Sequence, residues 1–134
     1  MATTTATLTL SSADLTGDAL ALTTSTTLTK AGTSTGMTET SGVGRKTTSA
    51  TTQYTLFDGG DYSDNGAHKV YLKNTSTTAS EYFTIEINSE AMGRLYAGDW
   101  AFIPWGANAA TNDLKIAPSV ATSMTLEYMI ISQA

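Results

Sequence analysis

The sequence predicts an all-β protein, an antiparallel β-sandwich of jelly-roll-like character with roughly eight to ten strands. Three observations carry that expectation. Apolar and polar residues alternate with a period of two in several short runs, most clearly Phe83, Ile85 and Ile87 against Tyr82, Thr84 and Glu86. No segment sustains a 3.6-residue apolar period over a helical length. The extended runs recur at the spacing of about 8 to 12 residues that is typical of sandwiches and barrels.

A chain of 134 residues with no break in composition reads as one domain, 1–134, able to bury a core without disulfide or metal staples. Charged residues make up 14% of it, against about 25% in typical proteins. Thr and Ser take their place: the β-branched threonine suits a pleated strand while its hydroxyl keeps the outer face wet. Interface centres are similarly depleted of charge, so the chain is expected to assemble. A net charge of −5 repels phosphate backbones and anionic lipid heads, which leaves neither nucleic acid nor a membrane surface as an expected partner. The absence of Cys excludes disulfides and thiolate chemistry. The opening MATTTATLTL lacks the basic and apolar regions of a signal peptide, and no apolar run approaches the roughly 18 residues of a membrane-spanning helix.

Taken in order, residues 2–10 alternate Thr with Ala6, Leu8 and Leu10, and residues 1–12 read as an extended arm or an ordinary edge strand. Residues 11–18 form a turn, and alternation resumes at Leu20 and Leu22. Residues 33–52 are rich in Thr, Ser and Gly and cannot bury enough apolar area to order themselves, so they need a sheet to join. Within them Gly42 reads as a turn and 43–49 as an outer strand. Residues 52–57 are extended with Tyr54 and Leu56 inward, and 58–66 form a loop dense in turn residues. Val70 and Leu72 then give 68–74 one inward face. Residues 82–87, 91–97 and 100–105 are the central strands, the last two expected to pair as a hairpin across Ala97-Gly98-Asp99. A short strand at Leu114–Ile116 and a last strand at Met124–Ser132 complete the chain. In the final strand Met129 and Ile131 make the second face apolar as well, so something is expected to cover it.

Few motifs suggest chemistry. Gly32-Thr-Ser34-Thr-Gly36 matches G-x-S-x-G, with Asp58 and His68 following in the order of an α/β-hydrolase triad, but that elbow requires a helix behind it and none is predicted. Gly42-Val-Gly44-Arg-Lys46 lacks the glycines that a phosphate loop needs. His68, the lone histidine, reads as a surface or turn residue. Asp58, Asp61 and Asp64 with Asn65 offer oxygens to Ca²⁺, without the spacing of an EF-hand. Lys69 and Lys73 beside Tyr71 read as a solvated stripe. Tyr96, Trp100 and Trp105 suggest a sugar-stacking platform, the mark of a carbohydrate-binding module, yet the two tryptophans have opposite parity, so one belongs to the core and the other to the surface. No catalytic group, cofactor or metal is expected, and the residues expected at an interface are Leu8, Leu10, Tyr96, Trp100, Phe102, Trp105, Met129 and Ile131.

The runs VYLKNTSTTASEYFTIEI, LYAGDWAFIPW and DLKIAPSVATSMTLEYMIIS resemble the small β-rich virion proteins of tailed bacteriophages. The likeness lies in the Lys73-Asn74-Thr75 turn, the Gly98-Asp99 connection, the aromatic run Phe102 to Pro104 and the closing Leu126-Glu127-Tyr128, and it covers residues 54–132. It implies a capsid decoration or cement protein on the outside of the phage head, a homotrimer whose partner is the major capsid protein. A tail or fibre component serving host attachment is the alternative within the same class.

Overall fold

The computed structural model describes residues 2–134. The described residues form eleven β-strands in three antiparallel sheets with one short 3₁₀ turn, and no α-helix among them. The all-β expectation holds, with one strand more than foreseen, a two-residue piece at Glu39–Thr40. The chain divides into two compact units, one ending at Met37 and one running Thr38–Ala134.

The first unit is built on β1 (Thr5–Ser12) and β2 (Leu20–Thr27), paired along their full lengths. Residues 5–12, arm or edge strand by sequence, are therefore one half of a hairpin. Register sets Leu10 opposite Leu22 and Ser12 opposite Leu20, so Ala6, Leu8 and Leu10 share a face with the two β2 leucines. The other face is hydroxyl-rich, with Thr7 Oγ1 and Ser25 Oγ 2.9 Å apart. The Ser12 hydroxyl accepts from the Leu15 amide at 3.0 Å and fixes the turn.

The second unit holds two sheets. One is β5 (Tyr54–Phe57), β10 (Leu114–Pro118), β7 (Tyr82–Ile87) and β8 (Glu90–Tyr96) in that spatial order. The other is β3 (Glu39–Thr40), β11 (Met124–Ser132), β6 (Lys69–Asn74) and β9 (Trp100–Pro104), with β4 (Gly44–Thr48) also on β11. Their inward residues merge into one core: Phe83, Ile85, Leu95, Leu114 and Ile116 from the four-stranded sheet, and Val70, Leu72, Ile103, Leu126 and Ile130 from the five-stranded one. This is a sandwich arrangement, two antiparallel sheets sharing a single apolar interior. The Thr-rich tract finds the sheet it needs: Thr47 pairs with Thr125, their hydroxyls 2.7 Å apart, and Gly44 lies against the Tyr128 ring where any Cβ would collide.

The central hairpin expected across Gly98 is not formed. β8 pairs with β7 and β9 pairs with β6, so the chain at 97–99 crosses from one sheet to the other. Gly98 does have the positive φ expected of it, +84°, and the Asp99 amide donates to the Tyr96 carbonyl at 2.9 Å, but that turn serves a crossing as well as a hairpin. The true hairpin joins β7 to β8 through Asn88-Ser89, whose φ values of 54° and 63° make the twisted two-residue turn that favours paired strands. Asn74 locks the crossing in place. It is fully buried, its backbone pairs with Gly98 and Asp99, and its side-chain amide donates to the carbonyls of Leu95 in the facing sheet and of Glu81 just before β7.

Two further expectations change. His68 is fully buried rather than on the surface: Nε2 donates to the Ser63 carbonyl at 2.9 Å, Nδ1 accepts from the Gln133 amide at 3.4 Å, and the ring packs on Tyr62 and Trp105. It shares the parity of Val70 and Leu72, which explains its direction. In β5 the most buried residue is Phe57, with Tyr54 and Leu56 only partly covered, because a bulge between Leu114 and Lys115 shifts the register at that end.

Candidate functional site

Four of the eight residues expected at an interface lie on the outer face of the five-stranded sheet. Inward residues of β9 are Ala101, Ile103 and the following Trp105, so Trp100, Phe102 and Pro104 point out. Register with β6 sets Lys73 beside Trp100, Tyr71 beside Phe102 and Lys69 beside Pro104. Register of β6 with β11 sets Glu127 beside Lys73, Met129 beside Tyr71 and Ile131 beside Lys69. Arg45 of β4 lies across from Glu127. Two rows result: a polar one, Trp100–Lys73–Glu127–Arg45, and an apolar one, Phe102–Tyr71–Met129.

Charge on this face is organised around Glu127. Its carboxylate accepts from the Tyr71 hydroxyl at 2.9 Å and from the Arg45 guanidinium at 2.9 and 3.1 Å, the one ion pair among the described residues. The Tyr71 hydrogen bond first, then Arg45, hold this carboxyl below the usual carboxylate range, and Lys73 adds to the effect. Partial burial, followed by the bond to Glu127, raises the Tyr71 hydroxyl. With Glu127 so engaged, Lys69, Lys73 and Arg45 leave the face net positive on a chain whose net charge is −5. Lys69 Nζ donates to the Ala67 carbonyl at 2.9 Å, while Lys73 forms no ion pair.

The free edge of β9 borders this face. The Trp105 amide donates to the His68 carbonyl on the β6 side, so by alternation the backbone groups of Trp100, Phe102 and Pro104 point away from the sheet. Proline sits where its missing N–H leaves no gap in the ladder. Trp100 is 54% exposed, the largest exposed aromatic of the chain.

Of the eight residues expected at an interface, the fold brings Trp100, Phe102, Met129 and Ile131 to this one face. Ile131 has a strand on either side and is nearly buried there. Trp105 is corrected outright: it is 2% exposed, stacked among Phe57, Tyr62 and His68, with Nε1 donating to the Asn112 carbonyl. Tyr96 lies on the outer face of the other sheet, its ring 5.1 Å from that of Tyr82. Leu8 and Leu10 belong to the leucine face of the first unit, where Leu10 stays 44% exposed. A sugar platform of Tyr96, Trp100 and Trp105 does not exist, since the three side chains point in three directions. Arg45 and Glu127 were missed because only the pairing of β6 with β11 and of β11 with β4, strands far apart in sequence, brings them into one row with Lys73 and Trp100.

The other candidates have structural work. Asp58 caps the 3₁₀ turn Gly59–Asp61 by accepting from the Gly60 amide, Asp64 accepts from the Ala109 amide, and Asp113 accepts from the Gly59 amide. No group of three metal-ligating side chains occurs among the described residues. Ser34 lies in the exposed turn closed by the Thr29–Gly36 bridge, with no helix behind it.

Comparison with known proteins found no matching family model, no matching curated protein and no matching solved structure.

Proposed function

We propose that the chain is a structural virion protein, a capsid decoration or cement protein that binds the assembled phage head by bridging capsid subunits. Its docking surface is the outer face of the five-stranded sheet. The observation that supports a docking role is the exposed Trp100–Phe102 edge beside Tyr71 and Met129, an aromatic-rich patch of the kind that anchors protein interfaces. The assignment to a phage head rests on the resemblance of residues 54–132 to small virion proteins. A protein that binds the finished lattice and not its free components stabilises the lattice by mass action.

The test is co-sedimentation with empty heads of the phage that encodes the chain. Wild type pellets with heads and raises their disruption temperature, and Trp100→Ala pellets at least tenfold less at equal concentration. A protein that stays in the supernatant with heads but pellets with tails belongs to the tail reading. One that ignores both, and whose tryptophan fluorescence responds to glycans, is a carbohydrate-binding module.

A further inference from the structure

We propose that the outer edge of β1 is a pairing surface for a second copy of the same strand, antiparallel, about a two-fold axis at Leu8. The sheet of the first unit has two strands, and two strands alone are at best marginally stable in water; further strands on an apolar face are what give such a sheet stability of its own. Backbone direction follows from the Leu28 amide, which donates to the Thr4 carbonyl at 2.8 Å in the same register as the strands. Alternation from that pair turns the N–H and C=O groups of Ala6, Leu8, Leu10 and Ser12 toward β2 and those of Thr5, Thr7, Thr9 and Ser11 away from it. The 2.9 Å approach of the Thr7 and Ser25 hydroxyls agrees, because side chains come closest in the pairs that lack ladder hydrogen bonds. Thr5, Thr7, Thr9 and Ser11 are all exposed.

The other sheet edges are guarded against such pairing. Pro104 sits on the β9 edge, register shifts interrupt β8 and β5, and the edge opposite β9 is broken into β3 and β4. β1 has none of these devices: it runs eight residues in unbroken register, without proline, bulge or charge. β2 continues into the Thr29–Gly36 bridge, where the Met37 amide donates to the Leu28 carbonyl, so backbone at that end is already engaged. A second copy is the occupant that the register selects. Setting Thr5 against Ser11 and Thr7 against Thr9, in both directions, pairs all four outward residues at once, and no other antiparallel register does so. It places Leu8 against Leu8 of the second copy and Leu10 against Ala6, on the face that carries Leu20 and Leu22, so the leucine stripe continues across the joint. Neither strand of the hairpin has a charged residue, in a chain of net charge −5, so this edge meets its copy without like-charge repulsion. Antiparallel pairing also keeps the two turns with Asp14 and Asp18 at opposite ends of the joint. The contact is isologous and closes at two copies, unlike a three-fold ring, and it uses no residue of the face proposed to dock on heads.

Sedimentation velocity of the full chain tests it, together with oxidative crosslinking, which is free of background because the chain has no Cys. Wild type is expected to sediment as a dimer at high micromolar concentration, with little dependence on salt because no ion pair contributes. Thr7→Pro removes an outward N–H that the hairpin itself does not use, and should weaken association at least tenfold. Thr23→Pro makes the same change on the outer edge of β2 and should associate like wild type, which separates damage to the hairpin from loss of the contact. Leu8→Cys sets two thiols opposite each other at the axis, with Cα atoms about 4.5 Å apart, a span that a disulfide bridges. It should crosslink to a covalent dimer in oxidised glutathione. Ala6→Cys alone should not, whereas Ala6→Cys mixed with Leu10→Cys should. The proposal is overturned by a wild type that stays monomeric at millimolar concentration, by two prolines of equal effect, or by Ala6→Cys crosslinking as fast as Leu8→Cys. Co-sedimentation with heads is scored separately, and the inference does not rest on that reading, so either can fail alone.

Discussion

Replacing Asn74 with Leu tests whether one buried amide holds the two sheets in register. Asn74 has no exposed surface, and its side chain makes three hydrogen bonds: Nδ2 to the Glu81 carbonyl at 3.2 Å and to the Leu95 carbonyl at 3.0 Å, and Oδ1 from the Ser76 amide at 2.9 Å. Leucine has the same number of side-chain heavy atoms and the same branching and opens no cavity, but leaves these three backbone groups without their partner. Each orphaned buried group costs about 1–3 kcal/mol. The added apolar burial returns about 1–2 kcal/mol, so the net loss is at least about 2 kcal/mol and centred near about 4, a large part of the roughly 5–15 kcal/mol of a typical domain. In urea that loss lowers the midpoint by about 1–2 M at an unchanged slope. Trp105 fluorescence and far-UV circular dichroism should report the same shift. Asn74→Asp separates the amide's donor role from its size, because a carboxylate would face two carbonyl oxygens. At neutral pH it should be worse than leucine. On acidification towards about pH 4 it should recover in part, as the protonated carboxyl becomes a donor. A loss below about 1 kcal/mol for Asn74→Leu, or a pH-independent Asn74→Asp, would refute the idea that this residue locks the crossing.

The two tryptophans should behave oppositely: Trp105→Ala costs about 3–5 kcal/mol in chemical denaturation, whereas Trp100→Ala changes stability by less than about 0.5 kcal/mol. The Tyr54 hydroxyl is buried with no hydrogen-bond partner, and burial followed by Tyr128 raises its pKa. Tyr54→Phe keeps the ring under Lys46 and should stabilise the fold by about 1 kcal/mol, read as a higher urea midpoint. Glu127 has its pKa lowered by folding, so its contribution is present above the unfolded carboxylate value and is lost as pH falls through the lower folded one. The gap in melting temperature between wild type and Glu127→Gln should therefore narrow below about pH 4, and a gap that ignores pH would count against the Tyr71–Glu127–Arg45 network.

Period-two alternation made the strands legible, because a residue's face depends only on its neighbours two positions away. Followed further it would have placed His68 and Asn74 as well, since 68, 70, 72 and 74 all point inward. Polarity argued against both, and polarity is a poor guide when a buried group finds partners: His68 and Asn74 satisfy their side chains on backbone from other segments. The connection at Gly98 was misread for a related reason. Glycine with a positive φ announces a sharp turn but does not say whether the chain returns to its own sheet or crosses to another. What decides is the inward demand of the next strand, Ile103 and Trp105 filling the core from beside Val70. The candidate site lay further out of reach. Trp100 and Phe102 were visible as aromatics and Lys73 as one of a basic stripe, but their neighbours Glu127 and Arg45 come from strands 54 and 28 positions away from Lys73. Whether Lys73 is merely solvated or poised beside an exposed indole follows from strand order, a property of the assembled sheet. Neutralising it with Lys73→Gln should leave the urea midpoint unchanged while weakening co-sedimentation with heads in salt-dependent fashion, because the residue contributes charge to the face and nothing to the core. If the midpoint falls and co-sedimentation does not change, Lys73 supports the sheet and has no part in contact.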